Sequence, residues 1–364
     1  MLFDPLPLRG LTLRNRIGVS PMCQYSSTDG FADDWHLVHL GSRAVGGAGL
    51  VMTEATAIEA RGRISPEDLG IWKDEHVDAL ARITRFLRAH GAAPGIQLAH
   101  AGRKASVARP WDGGNPLSPP VGWSPIAAPS TVPFDDGYQT PAALLPAEIA
   151  ALIDAFAAAA TRAERAGFEV LEVHAAHGYL IHEFLSPLSN RRDDEWGGTF
   201  DNRIRLLLEI VRAVRRVWPD RLPLLVRLST TDWVGADGWV LEDSIALARR
   251  LRAEGVDLVD CSSGGNAPRV AVPAGPGYQT PNAARIREEA PIATATVGLI
   301  TSAAQAEHAL VTGQADMVFL ARALLRDPYW PLHAAAELGV ALDWPPQYDR
   351  ARPLPPPGSR PSRG

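Results

Sequence analysis

The chain has 364 residues, 46% of them hydrophobic, with a formal net charge of −5 at pH 7 and an isoelectric point near 6.1. This length and content allow a large buried core, organised either as one α/β barrel or as two ordinary domains. The slight acidity excludes a basic surface of the kind that attracts nucleic acid or a membrane, so we expect an enzyme that acts on small molecules.

The first residues, Met1 to Pro5, carry neither the basic flank nor the apolar stretch of a secretory signal. No segment approaches the roughly 18 uninterrupted apolar residues of a membrane-spanning helix. We therefore expect a cytoplasmic protein without a membrane partner. Its two cysteines, Cys23 and Cys261, are too few for a cysteine-ligated iron–sulfur cluster or a disulfide framework, so we expect free thiols.

Strand and helix patterns alternate along the chain, after a short apolar hairpin pattern over residues 8–13 that can plug the bottom of a barrel. Short apolar runs predict strands at residues 17–20, 50–53, 95–98, 168–174, 224–228, 258–261, 292–297 and 317–320. Amphipathic patterns predict helices at residues 75–89, 147–165, 202–217, 241–253, 282–289 and 302–311. Continuously apolar strands are typical of parallel sheets, and this many of them favour an α/β fold of the (β/α)8 TIM barrel type.

Two connections, residues 99–145 and 262–279, are too long for simple links and leave the C-terminal ends of strands three and six. Loops of this length are usually functional, so we expect both to cap the pocket. Residues 1–343 are then predicted as one barrel domain, and residues 344–364 as a C-terminal segment that makes a subunit contact. Its last part, residues 353–364, has the composition of a disordered tail.

The fourth predicted strand ends in a cluster of polar side chains, His174, His177 and Tyr179, with Gly178 permitting a sharp turn between them. The residues at strand C-termini form the active-site face of a barrel, which favours catalysis over the alternative of ordinary core residues. A zinc pair is the other alternative. The sequence offers no third ligand at a recognisable spacing, so we expect no metal.

Gln97 and Arg227 lie inside apolar strands, where each needs a buried partner that a polar planar ligand can supply. Gly298 follows the seventh predicted strand, and Ala321 and Arg322 follow the eighth. Barrels commonly bind phosphate at the ends of these two strands. A guanidinium complements a phosphate dianion well. These residues together predict a bound phosphorylated heterocycle.

At this point the sequence resembles the old yellow enzymes, which are FMN-dependent ene-reductases, and most closely their thermophilic-like subclass. The motifs that carry the resemblance are Ser-Pro-Met-Cys-Gln-Tyr (residues 20–25), Ile-Gln-Leu-Ala-His-Ala-Gly-Arg-Lys (96–104), His-Ala-Ala-His-Gly-Tyr-Leu (174–180), Asn-Arg-Arg-Asp-Asp-Glu-Trp-Gly-Gly (190–198) and Phe-Asp-Asn-Arg-Ile (200–204). The sequence departs from the family at Ala321, where glycine is usual, and after Arg350, where a Gly-Trp ending is replaced by Ala-Arg-Pro.

The resemblance implies noncovalent FMN. Gln97 would bond its pyrimidine edge, Arg227 would stabilise the reduced anion, and Cys23 would tune its potential. The full implied cofactor set is Ser20, Pro21, Met22, Cys23, Ala57, Gln97, Arg227, Gly298, Ala321 and Arg322.

The implied reaction is NAD(P)H-dependent reduction of activated C=C bonds, with NADPH as the expected donor and with nitro compounds and quinones as further substrates. His174, His177 and Tyr25 would bind the substrate and Tyr179 would donate a proton. Arg350 would reach a neighbouring subunit's pocket in a homodimer or homotetramer. Two alternatives are a relative of dienoyl-CoA reductase, whose cysteine cluster is missing here, and a non-catalytic flavin-binding barrel.

Overall fold

The computed structural model describes residues 1–352, so the predicted tail over residues 353–364 lies outside the described residues. Within them the strands are β1 (Leu6–Leu8), β2 (Leu11–Leu13), β3 (Ile17–Val19), β4 (Leu50–Ala57), β5 (Ala93–Ala99), β6 (Ala127–Ala128), β7 (Ala142–Ala143), β8 (Val170–Ala175), β9 (Leu224–Ser229), β10 (Leu258–Ser262), β11 (Ala293–Thr296) and β12 (Met317–Leu320). The helices are α1 (Asp34–Val45), α2 (His76–Ala89), α3 (Pro146–Arg165), α4 (Leu180–Leu185), α5 (Phe200–Val217), α6 (Leu241–Ala253), α7 (Thr280–Glu289), α8 (Ala303–Val311), α9 (Arg322–Arg326) and α10 (Trp330–Glu337).

Eight parallel strands close into a barrel in the order β3, β4, β5, β8, β9, β10, β11 and β12, and β12 pairs with β3 to complete the ring. The predicted (β/α)8 barrel is therefore confirmed. The hairpin of β1 and β2 is also present, and its Leu6, Leu8 and Leu13 pack against apolar residues of the barrel interior such as Leu225 and Leu258. The hairpin closes the N-terminal end of the barrel.

The helix α1 is a difference from the sequence prediction, which had no helix between the first two barrel strands. Asp33 caps it by accepting hydrogen bonds from the backbone N–H groups of Trp35 and His36. Trp35 and Val38 are 55% and 67% exposed. These large apolar side chains on the solvent face weaken the amphipathic pattern by which a helix is recognised in a sequence.

The strand β4 is longer than predicted, because polar side chains interrupt its apolar run after Met52. Thr53, Glu54 and Thr56 are all buried, and a register shift between Met52 and Ala55 marks a bulge in the pairing with β5. The long connection after β5 contains β6 and β7, which pair with each other, and the connection after β10 runs without a strand or helix to α7.

The barrel interior changes from apolar to polar along the strands. In β8, Leu171 and Val173 pack outward against the helices, so the alternating residues Val170, Glu172 and His174 face the interior. The same alternation places Leu225 and then Arg227 inside β9. Apolar side chains therefore fill the barrel interior towards the N-terminal ends of the strands, and polar side chains collect at the C-terminal ends. None of the helices described within residues 1–352 is long and apolar enough to cross a membrane.

The interior packing gives a stability prediction for Leu225, which is fully buried in the apolar layer. We expect Leu225→Ala to lower the free energy of unfolding by about 2–5 kcal/mol, because it removes buried methyl groups and leaves a cavity. Leu145 is 64% exposed, so Leu145→Ala is the matched control and should change the free energy by less than about 0.5 kcal/mol. Denaturant unfolding of both variants measures the difference, and equal losses would contradict the layer assignment.

Candidate active site

The C-terminal ends of the barrel strands open onto a cavity of about 690 Å³. Its lining residues are Ser20, Pro21, Cys23, Tyr25, Ala55, Gln97, His174, His177, Tyr179, Arg227 and Ala321. A neighbouring cavity of about 680 Å³ shares Arg227 and Ala321 with it and extends towards Gly298 and Arg322. Most of the predicted site residues therefore surround one continuous region of the barrel face.

His174, His177 and Tyr179 face one another in this cavity. The His174 ring lies 5.2 Å, centroid to centroid, from both the His177 ring and the Tyr179 ring. The His177 Nε2 atom is 2.7 Å from the Ser262 hydroxyl, and the His177 backbone N–H donates to Ser229. His174 Nδ1 is buried without a hydrogen-bond partner within residues 1–352. His177 is thus held by the ends of β9 and β10, and a nitrogen of His174 is left for a ligand.

The turn that positions these side chains depends on two glycines. His177 has a φ of 60° and Gly178 a φ of 70°, both in the left-handed region. A Cβ atom on Gly178 would lie 2.2 Å from the carbonyl oxygen of Gly265, and one on Gly265 would lie 2.7 Å from the backbone of His177. Only glycine fits at both positions, so the loops after β8 and β10 approach closely enough to fix the imidazoles.

Burial decides the protonation states of the cluster. It lowers the pKa of His174 and His177 well below the ordinary histidine value, and the positive charge of Arg227 adds to this effect. Burial also raises the pKa of Tyr179 well above that of a free phenol. At neutral pH the site therefore offers neutral imidazoles and a protonated phenol, which are all hydrogen-bond donors.

Lys104 is a site residue to which sequence reasoning gave no role, although it ends the motif over residues 96–104. Its ammonium group donates to the carbonyl oxygens of His177, at 2.8 Å, and Gly265, at 3.1 Å. It lies 4.8 Å from the centre of the Tyr179 ring, within the range of a cation–π contact. Burial lowers its pKa to about 8. Its position shortly after the C-terminal end of β5 could have identified Lys104 as a site residue from the sequence.

Gln97 and Arg227 have buried partners, but these are protein carboxyl groups that sequence reasoning missed. The Gln97 amide donates to Glu172 at 2.8 Å. The Arg227 guanidinium donates to the Ser20 hydroxyl at 3.1 Å, and its Nε lies 3.1 Å from a carboxyl oxygen of Asp260. The prediction that a ligand supplies the partners of Gln97 and Arg227 was therefore incomplete, since residues of the neighbouring strands supply some of them.

Cys23 and Tyr25 also line this cavity. Both pack with Tyr179 on a small apolar cluster, and Tyr25 makes an edge-to-face contact with Trp111 at 5.7 Å. Burial raises the pKa of the Cys23 thiol well above its ordinary value, with the negative charge of Asp68 adding to the effect. A neutral thiol agrees with a role other than nucleophile, because the thiolate is the reactive form.

Two predicted cofactor residues, Met22 and Ala57, line neither the main cavity nor its neighbour. Met22 packs against the core between the barrel and its helices. Ala57 lines a smaller cavity, of about 200 Å³, together with Tyr179 and Asp68. Asp68 is a buried carboxyl that sequence reasoning also missed; burial, with the charge of Glu54, raises its pKa to about 7.

The second cavity has a cationic end. Arg322 begins α9 with an exposed side chain that has no hydrogen-bond or ion-pair partner within residues 1–352. Gly298 has a φ of 125°, and a Cβ atom there would lie 2.9 Å from both Gln279 and Tyr278. A guanidinium beside a close-fitting glycine loop suits an anionic group such as phosphate. Together with the unpartnered nitrogen of His174, these features fit a planar polar cofactor that ends in a phosphate.

Arg350 does not line either cavity of its own chain. It belongs to a short helical turn over Pro346–Ala351, and its side chain is exposed. The neighbouring Tyr348 is 40% exposed and its hydroxyl lies 3.3 Å from that of Tyr329. The segment is therefore held against the start of α10, and Arg350 lies outside both cavities of its own chain.

The barrel, the phosphate-suited loop and the donor cluster define a cofactor-dependent barrel oxidoreductase. The family model described as the NADH:flavin oxidoreductase / NADH oxidase family matches residues 1–340, so the chain belongs to that family. The chain is 51% identical over 352 residues to a NADPH dehydrogenase of Geobacillus sp. (strain WCH70), covering 96% of this chain and 98% of that one.

Solved structures give the same result. An old yellow enzyme homologue from Zymomonas mobilis aligns with a TM-score of 0.75 at 26% identity, covering 97% of this chain and 99% of the other. A 2-naphthoyl-CoA reductase complex aligns with a TM-score of 0.83 at 26% identity, covering 93% of this chain but only 52% of that one. The predicted family is confirmed, and the chain is an FMN-dependent enzyme that uses a nicotinamide hydride donor.

The neutral histidines give a prediction for the dependence of stability on pH. Histidines in the unfolded chain titrate near pH 6.5, at about the reference value, whereas the pKa of folded His174 lies well below it. Below about pH 6.5 the unfolded state binds more protons than the folded state. The stability that His174 contributes is therefore fully present above about pH 6.5 and is lost as the pH falls towards the pKa of the folded protein. We expect His174→Asn to flatten the fall in unfolding free energy between about pH 6.5 and 5.

The measurement is denaturant unfolding at stepped pH values. His308, exposed on α8, offers the control His308→Asn, which should keep the slope of the unsubstituted protein. An unchanged slope in His174→Asn would show that folding does not lower the pKa of this imidazole.

Proposed function

We propose that the protein is a NADPH-dependent ene-reductase that reduces the activated C=C bond of α,β-unsaturated carbonyl compounds, and also nitro compounds and quinones. The observation that carries the proposal is the set of neutral donors, His174, His177 and Tyr179, around one cavity at the barrel mouth. FMN, when bound there, supplies hydride chemistry, accepting a hydride from NADPH and delivering one to the substrate.

His174 and His177 hold the oxygen of the substrate's carbonyl or nitro group, with Tyr25 assisting from the opposite wall. Negative charge develops on that oxygen as the double bond is reduced. Neutral N–H donors aimed at it stabilise the transition state more than the ground state. The contacts of His177 with Ser229 and Ser262 keep its ring in place, so little reorganisation is needed during the reaction.

Tyr179 donates the proton that completes the reduction. Its raised pKa keeps the phenol protonated at neutral pH, so the proton is available when the substrate becomes basic. The ammonium group of Lys104 lies 4.8 Å from the centre of the ring and favours the phenolate that remains after transfer. Its fixed contacts with two backbone carbonyls hold it at this distance.

The FMN site runs across both cavities. Gln97 and Arg227 would hold the ring, and Arg322 with the loop at Gly298 and Ala321 would bind the phosphate. The residues from Ser20 to Cys23 and Ala57 would complete the enclosure. The support is the pairing of a cationic end with a polar strand-end surface in cavities that share Arg227. The Cys23 thiol adjusts the redox potential through local polarity.

Two rivals are less well supported. A dienoyl-CoA reductase-like enzyme needs a cysteine cluster, and the chain has two cysteines in all. A non-catalytic flavin-binding barrel would keep Arg227 and Arg322 but has no use for the donor cluster. For the assembly we propose a cytoplasmic homodimer or homotetramer, in which the exposed Arg350 and Tyr348 contact a second copy and Arg350 contributes to its pocket.

The decisive experiment on the reaction uses Tyr179→Phe, which removes the acidic hydroxyl and keeps the ring. We expect reduction of the enzyme by NADPH to remain nearly intact, while reduction of a cyclic enone slows by roughly 10²–10⁴-fold, the usual size of a lost general acid. Stopped-flow absorbance of the two half-reactions under anaerobic conditions measures both rates.

Quinone reduction in the same variant is the internal control. A quinone's product oxygens take protons from solvent, so this activity should fall much less. Equal slowing of both half-reactions would make Tyr179 a structural residue. Absence of any reduction by NADPH in the unsubstituted protein would favour the non-catalytic barrel.

The phosphate assignment predicts that Arg322→Ala weakens FMN binding by roughly 10–100-fold, the size expected for charge-assisted hydrogen bonds. Flavin fluorescence on dilution of the holoenzyme gives the dissociation constant. Arg216, exposed near the end of α5, provides the control Arg216→Ala with the same loss of charge. The flavin released by heat should be FMN at one per chain. FAD, or an unchanged dissociation constant in Arg322→Ala, would refute the assignment.

A further inference from the structure

A layer of charged side chains lies inside the barrel between the apolar interior and the cavity. Glu172 of β8 and Asp260 of β10 are fully buried, and Arg227 of β9 is 5% exposed. Two residues earlier on the same strands lie Val170, Leu225 and Leu258, which are all apolar. The reaction proposed above uses Arg227 but neither carboxyl group. Buried carboxyls are costly, so their presence in this layer needs a physical reason.

Glu172 contacts one group that faces the cavity. Gln97 and Glu172 are register partners on the adjacent strands β5 and β8, and the Gln97 amide nitrogen donates to Glu172 Oε1 at 2.8 Å. An amide has a donor end and an acceptor end of nearly the same shape. An accepting carboxyl oxygen at this position pairs with the N–H end of the Gln97 amide. The carbonyl oxygen of Gln97 and its second N–H are then left for the cavity side.

The charges of the layer suit a protonated Glu172. Arg227 is paired with Asp260, at 3.1 Å, so a second carboxylate would leave one buried negative charge without a cation. His174, the next interior residue of β8 after Glu172, is uncharged at neutral pH because burial lowers its pKa. Burial, and after it the negative charge of Asp260, raises the pKa of Glu172, whereas Arg227 and the bond from Gln97 oppose the shift. Burial raises the pKa of Asp260 as well, against the opposing effect of Arg227. A neutral Glu172 still offers its carbonyl oxygen to the Gln97 amide, and its burial costs less than the burial of a carboxylate.

We propose that Glu172 is a positioning residue for the cofactor site, which by accepting a hydrogen bond from Gln97 fixes the end of that amide presented to bound FMN. The proposal rests on the proposed function, in which Gln97 bonds the flavin's pyrimidine edge. A correctly oriented amide matches the donors and acceptors of that edge, and a freely turning amide must be oriented each time FMN binds.

The test compares two substitutions. Glu172→Leu removes the acceptor and leaves the Arg227–Asp260 pair balanced, and apolar replacement of a buried carboxyl is often neutral for stability. It should weaken FMN binding by about tenfold, the upper size for one hydrogen bond. Glu172→Gln keeps a carbonyl oxygen for Gln97 and should bind FMN within about threefold of the unsubstituted enzyme. The dissociation constants come from flavin fluorescence on dilution of each holoenzyme, with thermal unfolding as the check on folding.

A double-mutant cycle separates positioning from general support of the fold. If Glu172 acts through Gln97, the loss caused by Glu172→Leu should disappear in a Gln97→Ala background, whereas a structural effect would persist there. Glu183→Gln, which alters another fully buried carboxyl outside the layer, is the control and should leave FMN binding unchanged.

Three results overturn the inference: unchanged FMN binding in Glu172→Leu, equal weakening in Glu172→Gln and Glu172→Leu, or a full loss that persists without the Gln97 amide. A different result addresses the proposed function. If Gln97→Ala alone leaves FMN binding unchanged, Gln97 does not contact the flavin, and the cofactor assignment fails before the role of Glu172 is reached.

Discussion

The closed ring of parallel strands is the constraint on which the site depends. Pairing of β12 with β3 joins Val318 to Ile17, residues that are 301 positions apart in the chain, and closure places every strand's C-terminal end on one face. Residues as distant in sequence as Ser20 and Arg227 thereby come within 3.1 Å. No single loop holds these groups. Because the positions of the polar side chains are set by strand register, a substitution that shifts one strand moves several of them together.

Burial of the polar groups at the barrel mouth makes each polar contact there matter more. An unpaired polar group in such surroundings costs free energy, while a paired group interacts more strongly than it does in water. The same burial that lowers the pKa of His174 raises the pKa of Tyr179, and both shifts keep the side chain neutral while leaving it one N–H or O–H donor. Burial alone is thus the main cause of the protonation states of two different side chains.

Sequence reasoning succeeded where the pattern was local. Continuous apolar runs gave all eight barrel strands, and His174, His177 and Tyr179 stand out because they end one of them. It failed where the interior of a strand is polar. Glu172 and Asp260 belong to runs that read as apolar on average, and their partners, Gln97 and Arg227, lie on other strands. Only the register between strands reveals these pairs, and a single sequence does not contain it.

The loop after β8 illustrates how the fold supports an unfavourable local geometry. His177 adopts a left-handed backbone conformation that costs a non-glycine residue of order 1 kcal/mol, and such conformations persist only where the surroundings over-determine them. Here its N–H is bound by Ser229, its carbonyl by Lys104, and its ring by Ser262. These contacts come from β9, from the loop after β5 and from β10. The conformation of this loop of the candidate site therefore depends on three other parts of the barrel, and the closed ring that brings them together also fixes the position of the imidazole.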